Sequence, residues 1–239
     1  TVMANRGSRT VPGMGKVVLY PGEGHRLELG TVGLRSEFQS GQPGSPFNPF
    51  DGPVYSNTVT NTTSTAGYTY APSDNQLIDF SATGYWVRTQ QNMVVTESYG
   101  ICDPFPAFCF TGPVGTESSF TINTLGFDVH NTSRFAALNL DHTVTYGGDL
   151  FSDRVVSDGD NYGPDSGFLL TPSGNRTVGG GFVQWLAEYG TWLDVILAGR
   201  YDAYSLTGGG VENSGSRFSP KATVGLTPLE GVTFYATYA

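Results

Sequence analysis

The sequence predicts an all-β chain, an antiparallel transmembrane β-barrel segment of about ten long strands. Three observations support this. From Thr191 to Tyr238 the side chains alternate with period two, as strands with two unlike faces must. These strands run to about ten residues or more, against about five or six in ordinary globular sheets. About ten tilted residues is what a barrel strand needs to cross a bilayer. Finally, connections alternate between short turns and long loops, as bacterial barrels do with periplasmic turns and extracellular loops.

Taken in order, a first strand is expected over about Gly13 to Tyr20, followed by the short turn Pro21 to His25. The second, Arg26 to Phe38, leads into a long Pro/Gly/Asn loop, and the third covers about Thr58 to Tyr70. After a turn at Ala71 to Asn75, the fourth is placed at Leu77 to about Val94. Here Ile78, Phe80, Ala82 and Trp86 alternate with Asp79, Ser81, Thr83 and Tyr85. A cysteine-bearing loop to about Glu117 precedes the fifth strand, Ser119 to about Asn131, with a turn near Ser133 to Leu138. The sixth, Asn139 to Val155, sets Leu140, Val144, Tyr146 and Leu150 against Asp141, Thr143, Thr145 and Asp149. A third long loop, about Val156 to Arg176, leads to the seventh strand, Thr177 to Tyr189, with Gly179, Gly180 and Gly181 in a row.

The last three strands give the clearest pattern. Leu193, Val195, Leu197, Gly199 and Tyr201 share one face; Asp194, Ala198, Arg200 and Asp202 share the other. Gly208 to Gly210 end the eighth strand, a polar tip is expected up to Phe218, and alternation resumes there through Leu226. The turn Thr227 to Gly231 opens the tenth strand, with Val232, Phe234, Ala236 and Tyr238 on one side. Register cannot slip by one without exchanging faces. Ile78, Phe80, Leu193, Val195, Leu197, Ala222, Val224 and Leu226 are therefore expected on the lipid side. Asp79, Asp194, Asp202, Lys221 and Thr223 are expected in the lumen.

Composition agrees. Among 239 residues there are 33 Gly, 13 Tyr and 15 Phe, and 14% are charged. No run of 18 apolar residues offers a helical span, and a mean hydropathy of −0.18 suits strands diluted by lumen residues. A formal net charge of −9 argues against nucleic acid as a partner. Thr1 to Gly15 has no apolar stretch that would serve as a signal peptide. Cys102 and Cys109, in CDPFPAFC, read as a local disulfide of an oxidising compartment, with a metal pair as the rival. Closing that ring would contribute about 2–3 kcal/mol.

No GxSxG, HExxH, Walker or Rossmann pattern occurs, so an enzyme is not expected. Asp158 and Asp160 in DGDNYG resemble the front of a calcium loop, but Leu169 stands where the bidentate carboxylate belongs, and no metal site is expected. His25, His130 and His142 are all placed at or near the short-turn side, with His130 about three residues from its turn. None lies in a long loop, so none is expected to meet an external ligand.

Trp192 to Gly210 and Gly215 to Ala239 resemble the middle barrel of TonB-dependent outer-membrane receptors, in particular the haem/haemoglobin branch. Thr124 to Phe135, His142 to Val155 and Thr171 to Gln184 fit the same branch, and the likeness runs from about Lys16 onward. The resemblance implies a 22-stranded barrel with a plug, of which residues 1–239 would be a partial barrel lacking plug and later strands. It implies uptake of haem or another iron carrier across the bacterial outer membrane. The partners would be membrane lipid, a haem-carrying protein, and TonB through an N-terminal part. It further implies that the branch's histidine lies beyond Ala239, so that this segment binds no cofactor and haem is a transported ligand. Tyr55, Tyr99, Phe105, Phe108 and Tyr162 are candidate ligand contacts in the extracellular loops. The alternatives are a siderophore or carbohydrate receptor on the same scaffold, or a self-contained porin or adhesin barrel.

Overall fold

The computed structural model describes residues 7–40, 54–97, 114–159 and 173–239. They form ten strands: β1 (Arg9–Leu19), β2 (His25–Ser40), β3 (Val54–Tyr70), β4 (Phe80–Glu97) and β5 (Glu117–Ala137), then β6 (Leu140–Gly159), β7 (Gly174–Tyr189), β8 (Leu193–Gly208), β9 (Val211–Leu229) and β10 (Val232–Tyr238). Each pairs antiparallel with the next in chain order, giving one ten-stranded meander. Among the described residues no ladder joins β10 to β1, so both are edges of an open arc. Such an arc is a barrel segment, because an unpaired strand edge is intolerable in lipid.

The ladders fix which side chains share a face. Leu193, Val195 and Leu197 stand opposite Leu226, Val224 and Ala222, and Phe234 and Ala236 extend the same rows. Through β7 and β6 this face continues in Ala187, Trp185, Val183, Val144, Tyr146 and Leu150. It reaches Phe127 and Leu125 on β5, Phe80, Ala82 and Trp86 on β4, and Leu27, Leu29 and Val17 on β2 and β1. Asp194, Asp202, Lys221 and Thr223 lie on the opposite face, as the alternation predicts. An outward apolar face and an inward polar one are the two surfaces of a membrane barrel wall. Such a wall is one layer thick and has little interior. Among the described residues the buried apolar side chains are Val54, Val95 and Ala187.

Several boundaries differ from expectation for identifiable reasons. β5 does not turn near Ser133 but runs to Ala137, and the turn is the pair Leu138-Asn139, both with positive φ (54° and 60°). Two consecutive positive φ values give the turn type whose twist matches a hairpin. The stretch from Gly208 to Phe218 is not a polar tip. β9 begins at Val211, and only Gly209-Gly210, at φ 60° and 78°, make the turn. Polar alternation there reflects strands rising past the membrane into water, where no face needs to be apolar. This connection breaks the expected long-loop rhythm. The sixth and seventh strands likewise reach further than expected, to Gly159 and back from Gly174.

At the fourth strand the ladder starts at Phe80 rather than Leu77. Gln76 to Asp79 lie along β5 with irregular bonds: the Asn131 amide and Ser133 hydroxyl donate to the Leu77 carbonyl at 3.0 and 2.7 Å. The Arg134 guanidinium donates to Asp79 at 2.9 Å, from a lumen-facing position of β5. Ile78 lies outside the ladder, in the connection.

An aromatic belt follows the short-turn end. His25 stacks on Tyr70 at 4.2 Å and bonds the Tyr68 hydroxyl at 2.8 Å. Phe135, His142 and Trp185 form a second group, and Tyr189 meets Trp192 edge-on at 5.6 Å. Amphipathic rings settle at the membrane interface in this way.

Candidate functional site

The polar face concentrates its charge on β5 to β8. Asp149 on β6 and Asp202 on β8 both stand beside Gly180 of β7 in one cross-strand row. Arg200 reaches over β7 between them, donating from Nη2 to Asp149 Oδ1 and from Nε to Asp202 Oδ1, each at 2.7 Å. Gly180 makes this crossing possible. A Cβ there would lie 2.4 Å from Asp202 Oδ1, 2.7 Å from Arg200 Nη2 and 3.0 Å from the Tyr201 carbonyl. Alternation places Asp149 and Arg200 in the lumen, but they sit two strands apart. Their convergence depends on the glycine between them.

A second cluster lies higher on the same wall. The Arg176 guanidinium donates from Nε and Nη2 to Asp153 Oδ2 at 2.9 and 2.5 Å, and Thr124 Oγ1 donates to Asp153 Oδ1 at 2.7 Å. The Arg176 guanidinium also lies 5.2 Å from the Phe151 ring centroid. Asp153 is buried, and pairing with a hydrogen-bonded arginine is what makes a buried carboxylate tolerable. These clusters present fixed dipoles to the lumen, the Arg176–Asp153 pair with its charges matched and the Arg200 cluster with one carboxylate in excess.

Tyr55 lies at the long-connection end of β3, on the lumen face opposite Val95. Beneath it the buried Asn57 donates to Ser40 Oγ at 2.8 Å and accepts from Gln91 at 3.3 Å. Burial pushes the Tyr55 phenol above its ordinary value. This one candidate contact is thus held by a packed base at the barrel mouth. Tyr99, Phe105, Phe108, Tyr162, Asp160, Cys102 and Cys109 lie outside the described residues. Asp158 pairs with Ser119 within the β5–β6 ladder, and among the described residues no group of three or more metal-ligating side chains occurs.

The histidines separate. His25 opens β2 beside its turn. His142 sits on the apolar face near Leu138-Asn139, where its Nε2 bonds the Ala137 carbonyl at 3.2 Å and its Nδ1 accepts from the Trp185 indole at 3.1 Å. His130 is not near its turn. Because β5 runs on to Ala137, it lies about 23 Å along the strand from that end, in the lumen, 3.2 Å from Asp128.

The family model for the TonB-dependent receptor-like β-barrel matches residues 18–239. The chain belongs to that family. Members of this TonB-dependent receptor family are bacterial outer-membrane proteins, and in such a wall the apolar face is the lipid face. No curated protein sequence matches the chain significantly. Among solved structures, this barrel segment is similar to the Serratia marcescens hemophore receptor HasR, in complex with its hemophore HasA and heme. That likeness is at 21% identity and a TM-score of 0.72, over 96% of this chain and 35% of that one. It is similar to the alcaligin receptor FauA of Bordetella pertussis at 12% identity and 0.68, over 97% and 36%. It is also similar to the copper transporter OprC at 14% and 0.70, over 97% and 36%. The chain spans about a third of these receptors' length, and identities this low speak to the fold alone.

Proposed function

We propose that this segment forms part of the wall of a TonB-driven receptor that takes up an iron-bearing ligand, with haem as the favoured cargo. The supporting observation is the family match from residue 18 to 239, joined to a wall with a polar lumen face. Haem is favoured because segments across the chain resemble the haem branch and because HasR shares its fold. TonB would engage an N-terminal part of the receptor outside these 239 residues, and a haem-carrying protein would dock from outside. Tyr55, with Tyr99, Phe105, Phe108 and Tyr162 in the extracellular connections, supplies flat aromatic faces for a planar macrocycle. Haem iron would be ligated by residues elsewhere in the receptor, not by His25, His130 or His142. A siderophore is the second reading, favoured by the likeness to FauA.

The test is growth of iron-starved cells carrying the complete receptor as their sole uptake route, fed haem or ferric siderophore, with and without TonB. Haem-supported, TonB-dependent growth is expected. Growth on siderophore alone would favour the second reading, and uptake independent of TonB would overturn both. Tyr55→Ala is expected to weaken haem binding about tenfold, equivalent to about 1.4 kcal/mol, without altering folding.

A further inference from the structure

Above Asp202 the two faces of β8 and β9 exchange character. Nearer the short turns the outward face is apolar, with Leu193, Val195 and Leu197, and the inward one carries Asp194, Arg200 and Asp202. Past that level the outward side chains are Ala203, Ser205, Thr207, Ser214 and Ser216, whereas Tyr204, Leu206 and Val211 stand on the lumen side. Leu206 and Val211 are 46% and 69% exposed. Where both faces meet water, apolar side chains gathered on one of them mark a surface that binds something.

Leu206 and Val211 line a groove of about 400 Å³ in the lumen wall, together with Val155 and Arg176. Its floor is glycine. In one cross-strand row the register sets Val155, Gly174, Gly208 and Val211, so two neighbouring strands carry no side chain between two valine walls. The walls stand three strand spacings apart, about 14 Å between backbones. An added Cβ at Gly174 would lie 2.5 Å from the Thr207 carbonyl oxygen, and one at Gly208 2.9 Å from that of Ser173. The floor is therefore bare because β7 and β8 approach too closely for anything larger.

Arg176 and Leu206, paired across β7 and β8, form the lower lip of the slot. Asp153 takes the Nε and Nη2 donors of Arg176, and the Phe151 ring lies 5.2 Å from its guanidinium. The guanidinium is thus held in place, while its Nη1 donors have no partner among the described residues and the side chain is 53% exposed. Apolar walls, a flat floor and one fixed cationic fork at the lip fit a flat apolar ring that carries a carboxylate on its rim.

We propose that this slot seats the rim of the cargo's porphyrin ring, with Arg176 Nη1 donating to one of its carboxylates. The proposal rests on the haem reading above and adds that this part of the wall recognises the ring and not the iron. Leu206, Val155 and Val211 cover the apolar edge, and Gly174 and Gly208 let it lie against the backbone.

Fluorescence titration of the complete receptor with iron-free protoporphyrin IX, beside haem followed at its Soret band, tests it. In L206Q/V211Q both ligands are expected to bind about tenfold more weakly, by the same factor. D153N/R176Q removes the ion pair without leaving a buried carboxylate alone. It should weaken protoporphyrin IX to a similar degree and leave its dimethyl ester, which has no free carboxylate, unchanged. Wild-type affinity for both ligands in L206Q/V211Q would overturn the slot, while haem-supported growth would keep the haem reading standing. Failure of the wild type to bind either porphyrin would sink that reading itself. A loss confined to haem would overturn recognition of the ring. Unchanged diacid binding in D153N/R176Q, or equal weakening of diacid and ester, would overturn the arginine's part. Heat-shifted migration on gels reports whether the variants fold. Should L206Q/V211Q not fold, Val155→Gln on the facing wall carries the same expectation and the same refutation.

Discussion

At the scale of single residues, alternation fixes the environment of each side chain, and burial adds little because the wall is one layer thick. Leu197 stands on the lipid face beside Ala222 and Trp185, about midway along the apolar part of β8. Leu197→Arg is expected to destabilise the complete receptor by about 2–4 kcal/mol, read from denaturant unfolding in vesicles. Gly180 makes the opposite point, since its importance comes from what crosses it. Gly180→Ala places a methyl against Asp202, Arg200 and the Tyr201 carbonyl, and a cost of about 1–3 kcal/mol is expected. Combining it with Arg200→Ala should recover part of that loss, because one of the clashing groups leaves. A strictly additive double variant would show that the arginine is not what the glycine accommodates. The run Gly179-Gly180-Gly181 is visible in the sequence as a blur in the seventh strand. Nothing local says that an arginine on the next strand needs the space.

Among elements, strand existence and facing were legible throughout, and strand ends were not. The ends fail where the lipid boundary stops supplying a pattern. Beyond the membrane neither face of β8 or β9 has to be apolar, so the stretch from Gly208 to Phe218 reads as a tip although from Val211 on it is paired backbone. At β4 the failure has another cause: Asn131 and Ser133 replace ladder bonds with side-chain bonds to the Leu77 carbonyl. Positive φ at Leu138 is a further device that pattern alone does not reveal. Leu138 is 90% exposed and has no packing to justify a left-handed backbone that costs an L-residue about 1–2 kcal/mol. Leu138→Gly is therefore expected to stabilise the complete receptor by about 1 kcal/mol, less than the full strain because glycine also gains freedom when unfolded. A raised denaturation midpoint with unchanged slope is the expected reading.

For the whole molecule, the open arc makes a prediction of its own. β1 and β10 each offer an unpaired edge, and the hydrocarbon interior provides no water to satisfy it. The 239-residue chain expressed alone is expected to aggregate or pair edge to edge in detergent, without the heat-shifted gel migration of a closed barrel. A monodisperse, heat-modifiable monomer would mean that these ten strands can close by themselves. The barrel was legible at this scale because strand length and alternation point the same way. The lumen clusters were not, since Asp149 and Arg200 meet through the sheet's register rather than through any spacing along the chain.

The Gly209-Gly210 hairpin gives the barrel mouth one side of a different mechanical kind. β8 and β9 hold their ladder from the membrane to that two-residue turn, so this stretch of rim is a pre-ordered post. A long connection surrenders conformational freedom when something settles on it, whereas a continuous antiparallel pair has already lost that freedom on folding. Whatever docks from outside thus meets one flank where contact needs no further ordering, and complementarity there converts more fully into residence time.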